Sequence, residues 1–357
     1  MSSSVTTPTA SPLSVPPVAS SPGGSSAHAQ IIQMATAIWK SRAVYAAVRL
    51  GLADLLSDGP RTATELARAT GMHTPSLYRL LRALASLGLF TEGDTQRFAL
   101  TSLGAALQTG APGAARATVL TLAGEWQWQA WGAFLHSLET GKTAMEKVWG
   151  MPLFAYLAQH PEEASNFSEA MVGAHGDDPP AVVAAYDFAR FQALVDVGGG
   201  TGNLLTTILR AHAHVRGILY DLPHVVLEAR TRIEALELAA RCEVHSGDFF
   251  AAVPAGGDAY LLSHILHDWD EEQCLTILRR CHQAMGQNGC LLIVEMVLPP
   301  RDAPHPGKLI DLLMLTVTGG VERTAEEYAA LLEAASFRLT RIVPTTSAVS
   351  IVEAVPV

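Results

Sequence analysis

The sequence predicts an α/β chain: a parallel sheet with crossover helices, closed at one edge by an antiparallel hairpin and preceded by an α-helical segment of winged-helix type. Three observations predict it. From Phe191 onward, short β-rich runs at 193–197, 215–220, 242–246, 258–263 and 290–298 alternate with helical stretches, and such alternation builds a parallel sheet. The chain ends in two strand-like runs, 337–343 and 348–352, separated only by a short break around Thr345, Thr346 and Ser347. No helix fits between them, so they pair antiparallel. Residues 60–100 read helix, helix, hairpin.

Taken in order, residues 1–27 hold nine Ser, three Thr, five Pro and two Gly. Such a segment buries too little apolar area to offset its ordering entropy and is expected to be a disordered tail. From Ile31 to Leu56 the apolar spacing is helical, with Ile31, Met34, Ala35 and Ile38 on one stripe. Gly59 and Pro60 break it. Thr62 and Glu65 have capping-box spacing for a short helix that stops at Gly71. Thr74 and Pro75 open the next, whose stripe is Leu77, Leu80, Leu81 and Leu84. The runs at 89–90 and 98–100 flank Gly93 and Asp94 as a hairpin. Residues 105–185 read as mostly helical and carry Trp126, Trp128, Trp131, Trp149, Phe154, Phe167 and Met171. The boundaries read from these changes are 1–27 for the tail, 28–112, 113–185 and 186–357.

Composition narrows the function. The chain has 357 residues, 49% of them apolar and 16% charged, an ordinary globular balance. No run approaches the ~20 apolar residues of a membrane span. Acidic residues outnumber basic ones, 34 to 24, for a net charge of −10, which does not favour nucleic-acid binding. The 60–100 stretch sets Arg61, Arg68, Arg79, Arg82 and Arg97 against Glu65, Glu92 and Asp94, a weak footprint for a DNA-binding regulator. Cys242, Cys274, Cys281 and Cys290 form no C-x-x-C. They read as reduced thiols in a cytoplasmic protein, with no zinc site. The start of the chain lacks the basic and apolar regions of a secretory signal.

The densest chemistry begins at Asp196. After a strand come Gly198, Gly199, Gly200, Thr201 and Gly202, then a helix over 204–211. Glycines there allow a tight turn and close approach to a ligand. Asp221 ends the next strand, where an acid accepts hydrogen bonds from both ribose hydroxyls. A dinucleotide fingerprint would need its third glycine at 203, which is Asn203. Asp196 at the loop entrance repels a pyrophosphate and suits a cation, so the spacing favours S-adenosylmethionine over NAD. Asp248 beside Phe249 suits an adenine, whose amino group donates while its face stacks. The plain alternatives are a glycine turn without ligand and a helix-capping Asp248.

The segment 258–273 places His267 and Asp268 in the loop after a strand, on the same rim as the glycines. Asp270 and Gln273 open a helix over 271–285 with Cys274, Leu278 and Cys281 on its apolar stripe. Histidine takes a proton near neutral pH. Glu295 interrupts an apolar strand, and Glu322 sits in 319–324 (GGVERT) before a helix capped by Thr324. A buried acid is costly unless paired, and a carboxylate bonded to an imidazole fixes its tautomer. The alternatives are an Arg partner for Glu295, and Arg323 or solvent for Glu322.

Residues 194–202 (LVDVGGGTG), 220–224 (YDLPH), 247–250 (GDFF), 267–269 (HDW) and 319–324 (GGVERT) together resemble the class I SAM-dependent O-methyltransferases of the plant caffeic-acid type, and most closely bacterial relatives acting on polyketide and other aromatic natural products. The resemblance spans roughly residues 30–355. It implies a Rossmann-like SAM-binding methyltransferase domain over 186–357, a winged-helix dimerisation domain over 28–112 that forms a homodimer, and an acceptor-pocket segment over 113–185. It implies His267 as general base flanked by Glu295 and Glu322. It implies cofactor contacts at Gly198, Asp221, Asp248, Phe249, Ser263, Asp268 and Trp269, and acceptor-pocket lining at Phe167 and Met171, to which Trp126 is added as an aromatic neighbour. Plant members carry a lysine where Ser263 stands and an asparagine near Val317, so this chain departs from the plant pattern at those two positions. No carboxylate cluster suggests magnesium. The expected reaction is methylation of a hydroxyl on an aromatic small molecule, yielding S-adenosylhomocysteine. The alternatives are a relative that has moved to decarboxylation or hydroxylation and, further off, a winged-helix DNA-binding regulator.

Overall fold

The computed structural model describes residues 26–357, so nearly all of the tail expected over 1–27 lies outside the described residues. Contact clustering divides the chain after Arg42. The first unit contributes the start of a helix, Ala27–Arg49, and the second, 43–357, holds all the sheets.

The second unit opens with the expected winged-helix order. β1 (Arg61–Thr62), β2 (Phe90–Glu92) and β3 (Arg97–Leu100) form an antiparallel sheet in the order β1-β3-β2. Its helices are Ala63–Thr70 and Thr74–Ser86. Thr62 and Glu65 make the reciprocal capping box that the spacing predicts, and Gly71 ends the helix in the left-handed conformation. Leu77, Leu81 and Leu84 are buried against Phe90 and Phe98. The leucine face of the second helix is therefore used up in the core. Of the stretch 105–185 expected to be mostly helical, 106–114 are not, and seven separate helices run from Ala115 to Ala185.

The main sheet contains β4 (Ala193–Val197), β5 (Arg216–Asp221), β6 (Cys242–Ser246), β7 (Ala259–Ser263) and β8 (Cys290–Glu295), all parallel. Two short strands follow, β9 (Val297–Leu298) and β10 (Arg323–Thr324). The C-terminal hairpin is β11 (Phe337–Pro344) and β12 (Ser350–Pro356). The order β11-β12-β8-β7-β4-β5-β6 puts the hairpin at the edge, with β12 antiparallel to β8. Successive crossovers leave β4 in opposite directions, so the switch point lies between β4 and β7. Ligands bind at the carboxyl ends of the strands at such a point, and both the glycine loop and His267 are there.

Strand alternation decides which groups face which layer. Leu194 packs with the helix Asn203–Ala211, whereas Val195 and Val197 pack with the helix Glu271–Ala284 on the other face. The same alternation sends Glu295 to the face that holds Tyr328, on the helix Ala325–Ala334. The apolar run 290–298 is not one strand. It leaves the main sheet at Met296, and β9 pairs instead in parallel with β10, Val297 opposite Arg323. That short ladder brings Glu322 back to the end of β8. Among the described residues no helix is long and apolar enough to cross a membrane.

Candidate active site

The glycine loop is built for close approach. Gly198, Gly200 and Gly202 have φ of 72°, 56° and 78°, a region that strains any residue with a Cβ. A Cβ on Gly198 would run into Ile265, and one on Gly202 would stand 2.7 Å from Leu219. Asp221 accepts from the Gly200 N–H at 2.8 Å and from the Leu222 N–H at 2.6 Å. An ionised carboxylate has about four lone-pair sites, so it keeps capacity for ligand hydroxyls at the half-buried strand end. Burial pushes the Asp221 carboxyl above its ordinary range despite those bonds.

Asp196 is placed differently from the sequence expectation. It lies under the loop rather than at its entrance, 1% exposed, and a Cβ on Gly199 would meet its Oδ2 at 2.7 Å. Alternation along β4 forces this. Burial, with the charge of Asp221 added, pushes its carboxyl up to about 7. Its Oδ1 has no hydrogen-bond partner among the described residues, leaving an acceptor beneath the loop. Asp248 is exposed, and its Oδ1 accepts from the Phe250 N–H at 2.8 Å. Phe249 and Phe250 meet Trp269 edge-on, with ring centroids 6.0 and 4.8 Å away. Asp221, Asp248, Phe249 and Trp269 thus stand at the strand ends around the glycine loop, with Asp196 buried beneath it.

His267 stands on that rim, in a single 3-10 turn (Leu266–Asp268) after β7. Its Nδ1 is 2.6 Å from Glu322 Oε1, while Nε2 is 3.9 Å from Asp268 Oδ1, beyond hydrogen-bond reach. The two flanking acids therefore do different things. Glu322 meets the imidazole, whereas Glu295 does not touch it. Instead Glu295 Oε1 accepts from the Ile265 and Leu266 N–H groups at 3.0 and 2.6 Å, and Oε2 accepts from the Tyr328 hydroxyl at 2.5 Å. Glu295, the last residue of β8, thus acts on the loop that carries His267 and not on its ring. Among the described residues neither acid pairs with an arginine. Arg323 donates to the carbonyls of Leu266, Val321 and Trp269 and so pins the same loop.

Gly320 belongs to this clasp, because a Cβ there would collide with the His267 carbonyl, which accepts from the Val321 N–H at 3.0 Å. Asp311 Oδ1 fixes the Glu322 N–H at 2.9 Å. Burial is the largest influence on His267 and works to lower its pKa. The Asp268 charge, the Glu322 hydrogen bond and the Glu295 and Glu322 charges outweigh it and raise the imidazole to about 10. Burial also lifts Asp268 to about 6 against the pull of His267.

A family model described as the O-methyltransferase domain matches residues 131–338, and one described as the O-methyltransferase dimerisation domain matches 32–110. The chain is 46% identical to phenazine O-methyltransferase PhzM of Lysobacter antibioticus, over 92% of this chain and 96% of the relative. It is 39% identical to the mitomycin biosynthesis 6-O-methyltransferase of Streptomyces lavendulae, over 86% and 88%. Among solved structures, NcsB1 from neocarzinostatin biosynthesis, in complex with S-adenosylmethionine and 2-hydroxy-5-methyl naphthoic acid, matches with a TM-score of 0.79 at 35% identity, covering 89% of this chain and 96% of that one. The chain belongs to the O-methyltransferase family. It is a SAM-dependent O-methyltransferase of the aromatic natural-product type.

Phe167 and Met171, expected to line the acceptor pocket, lie one turn apart, half-buried, on the helix Pro161–Ala174. Trp126 is 2% exposed, packed with Met145, Tyr156 and Val317, so its ring serves the helical core more than any pocket. Phe154 was not singled out from the sequence as a site residue. Its ring lies between two others, 6.4 Å from Phe167 and 5.7 Å from Trp269. Ser263 closes β7 half-buried.

Two outcomes test this geometry. Tyr328→Phe strips a buried carboxylate of one donor and should destabilise the fold by about 1–3 kcal/mol in urea denaturation; an unchanged midpoint would show that Tyr328 does not serve Glu295. Since Nε2 accepts a proton only when the ring is neutral, kcat/KM should climb with pH from neutral into the alkaline range. Glu322→Gln removes an anion that holds the proton on, so this rise should move to lower pH while its plateau falls. A rise left in place would separate Glu322 from the base.

Proposed function

We propose that this enzyme transfers a methyl group from S-adenosylmethionine to a hydroxyl of a planar aromatic small molecule, with His267 as the base, Glu322 as the acid that orients it and Glu295 as the acid that fixes its loop. The observation that carries this is the 2.6 Å bond from His267 Nδ1 to Glu322 within a buried site. It commits Nδ1 and leaves Nε2 for the acceptor's hydroxyl.

S-adenosylmethionine, when bound, supplies a methyl already activated by the sulfonium. Gly198, Asp221, Asp248, Phe249, Asp268 and Trp269 are the residues that would hold it. What remains for the protein is to position the acceptor and take its proton. A phenol has a pKa of about 10, and the imidazole is raised to about 10, so proton transfer between them is close to balanced. Positioning in near-attack geometry contributes on the order of 7–11 kcal/mol, and base catalysis roughly 10²–10⁴-fold, so positioning is the larger effect. Phe154, Phe167 and Met171 offer a flat apolar wall suited to fused rings such as the phenazine and naphthoic acid of the relatives' names.

The same reading assigns 28–112 to dimerisation, 113–185 to acceptor binding and 186–357 to the cofactor, in a homodimer. The four buried free cysteines support a reducing cytoplasmic setting.

A panel of phenols, quinones and polyketide aglycones with labelled S-adenosylmethionine should reveal an acceptor whose product is heavier by one methyl group. On that acceptor, His267→Ala should bind S-adenosylhomocysteine as the parent does in calorimetry, yet turn over roughly 10²–10⁴-fold more slowly. Full rate in this variant would remove His267 as the base. Asp221→Ala should weaken the calorimetric affinity, and unaltered affinity would take Asp221 out of the cofactor site.

A further inference from the structure

We propose that His175, Asp178 and His264 form a binding site for one zinc-class divalent ion, separate from the residues given roles in methyl transfer. The three come from different elements. His175 caps the carboxyl end of the helix Pro161–Ala174, Asp178 is the first residue of the helix Asp178–Ala185, and His264 directly follows β7. Their donor atoms converge on one point. Asp178 Oδ2 lies 3.3 Å from His175 Nδ1 and 3.0 Å from His264 Nε2. All three atoms lie within 4.8 Å of one another, and among the described residues this is the one group of three or more His, Cys, Asp or Glu donors so arranged.

Tetrahedral zinc with ligands about 2.0–2.1 Å away needs ligand-to-ligand edges of about 3.3 Å. Two of the three edges already have that length. Only the edge between the two nitrogens has to adjust, by splaying rings whose centroids are now 3.6 Å apart. His175 is the freer of the two, with 28% of its side chain exposed against 14% for His264. An ion would stand where both ring N–H groups now point, each imidazole passing to its other neutral tautomer. No proton is gained or lost in that exchange.

Two imidazoles and one carboxylate, with a fourth position left over, are a borderline-soft donor set that selects zinc-class ions over magnesium and calcium, which favour oxygen. The backbone supports the arrangement. His264 has φ of 54°, an uncommon conformation for a residue with a side chain, and it turns the imidazole toward Asp178.

The test uses the full-length, tag-free protein stripped with EDTA. Zn²⁺ is titrated by calorimetry and Co²⁺ by visible absorption, where tetrahedral coordination gives intense d–d bands. One equivalent per chain is expected, with tetrahedral bands. Affinity should fall in His175→Ala and in Asp178→Asn by at least the roughly 10–100-fold that losing an outer partner costs a metal site, and His264→Ala should bind no ion there. His175→Ala removes the most exposed ligand, so it reports even if His264→Ala does not fold, which thermal melting will show. Absence of saturable binding, octahedral Co²⁺ spectra, or parental affinity in folded His175→Ala and Asp178→Asn would overturn the proposal.

Discussion

A carboxylate with no positive partner, buried completely at the end of β8, sets the terms for everything around it. Glu295 is 0% exposed, and a buried charge is tolerated only when its lone pairs are met. The chain meets them with two backbone N–H groups from the loop after β7 and with the Tyr328 hydroxyl. Burial, with the Glu295 charge behind it, drives the Tyr328 hydroxyl well above its usual titration range, so it stays a donor. The strand, the loop that carries His267 and the helix Ala325–Ala334 are thereby tied at one point.

The His267–Glu322 pair is assembled on top of that tie. The parallel β9/β10 ladder carries Glu322 to the imidazole, and Gly320 lets the returning backbone pass the His267 carbonyl without a side chain in the way. Arg323, itself 5% exposed, spends its donors on loop carbonyls rather than on either glutamate. The charge of Asp268, the hydrogen bond to Glu322 and the charges of Glu295 and Glu322 together raise the His267 imidazole against its burial. The other Glu322 oxygen, Oε2, is buried with no hydrogen-bond partner among the described residues, so the site retains an acceptor.

Much of this was legible in the residues themselves. Alternating β and helical runs gave the sheet, and Thr62 with Glu65 and Thr324 with Glu327 gave helix starts that the structure reproduces as full capping boxes. The oddity of two acids in apolar surroundings pointed to the site. What each acid touches was not legible, because it depends on where β8 leaves the sheet and on how β9 registers with β10. Tyr328 reads as one more apolar position on its helix, and no local pattern announces that its hydroxyl serves a residue 33 positions away. The burial of Asp196 was available from strand alternation, whereas its orphaned oxygen was not. Phe154 looked like one aromatic among several, and only the packing of Trp269 against it reveals the bridge. His175 and Asp178 lie 86 or more residues before His264, with nothing in spacing to join them.

Glu322, and not Glu295, is the carboxylate at Nδ1 of His267, 2.6 Å away. Nitrogen-15 NMR of the histidine rings in the intact protein tests it most directly. The account predicts a strongly hydrogen-bonded, downfield Nδ1–H signal for His267 that disappears in Glu322→Gln and persists in folded Glu295→Gln. A signal that survives loss of Glu322 and vanishes with Glu295 would contradict it.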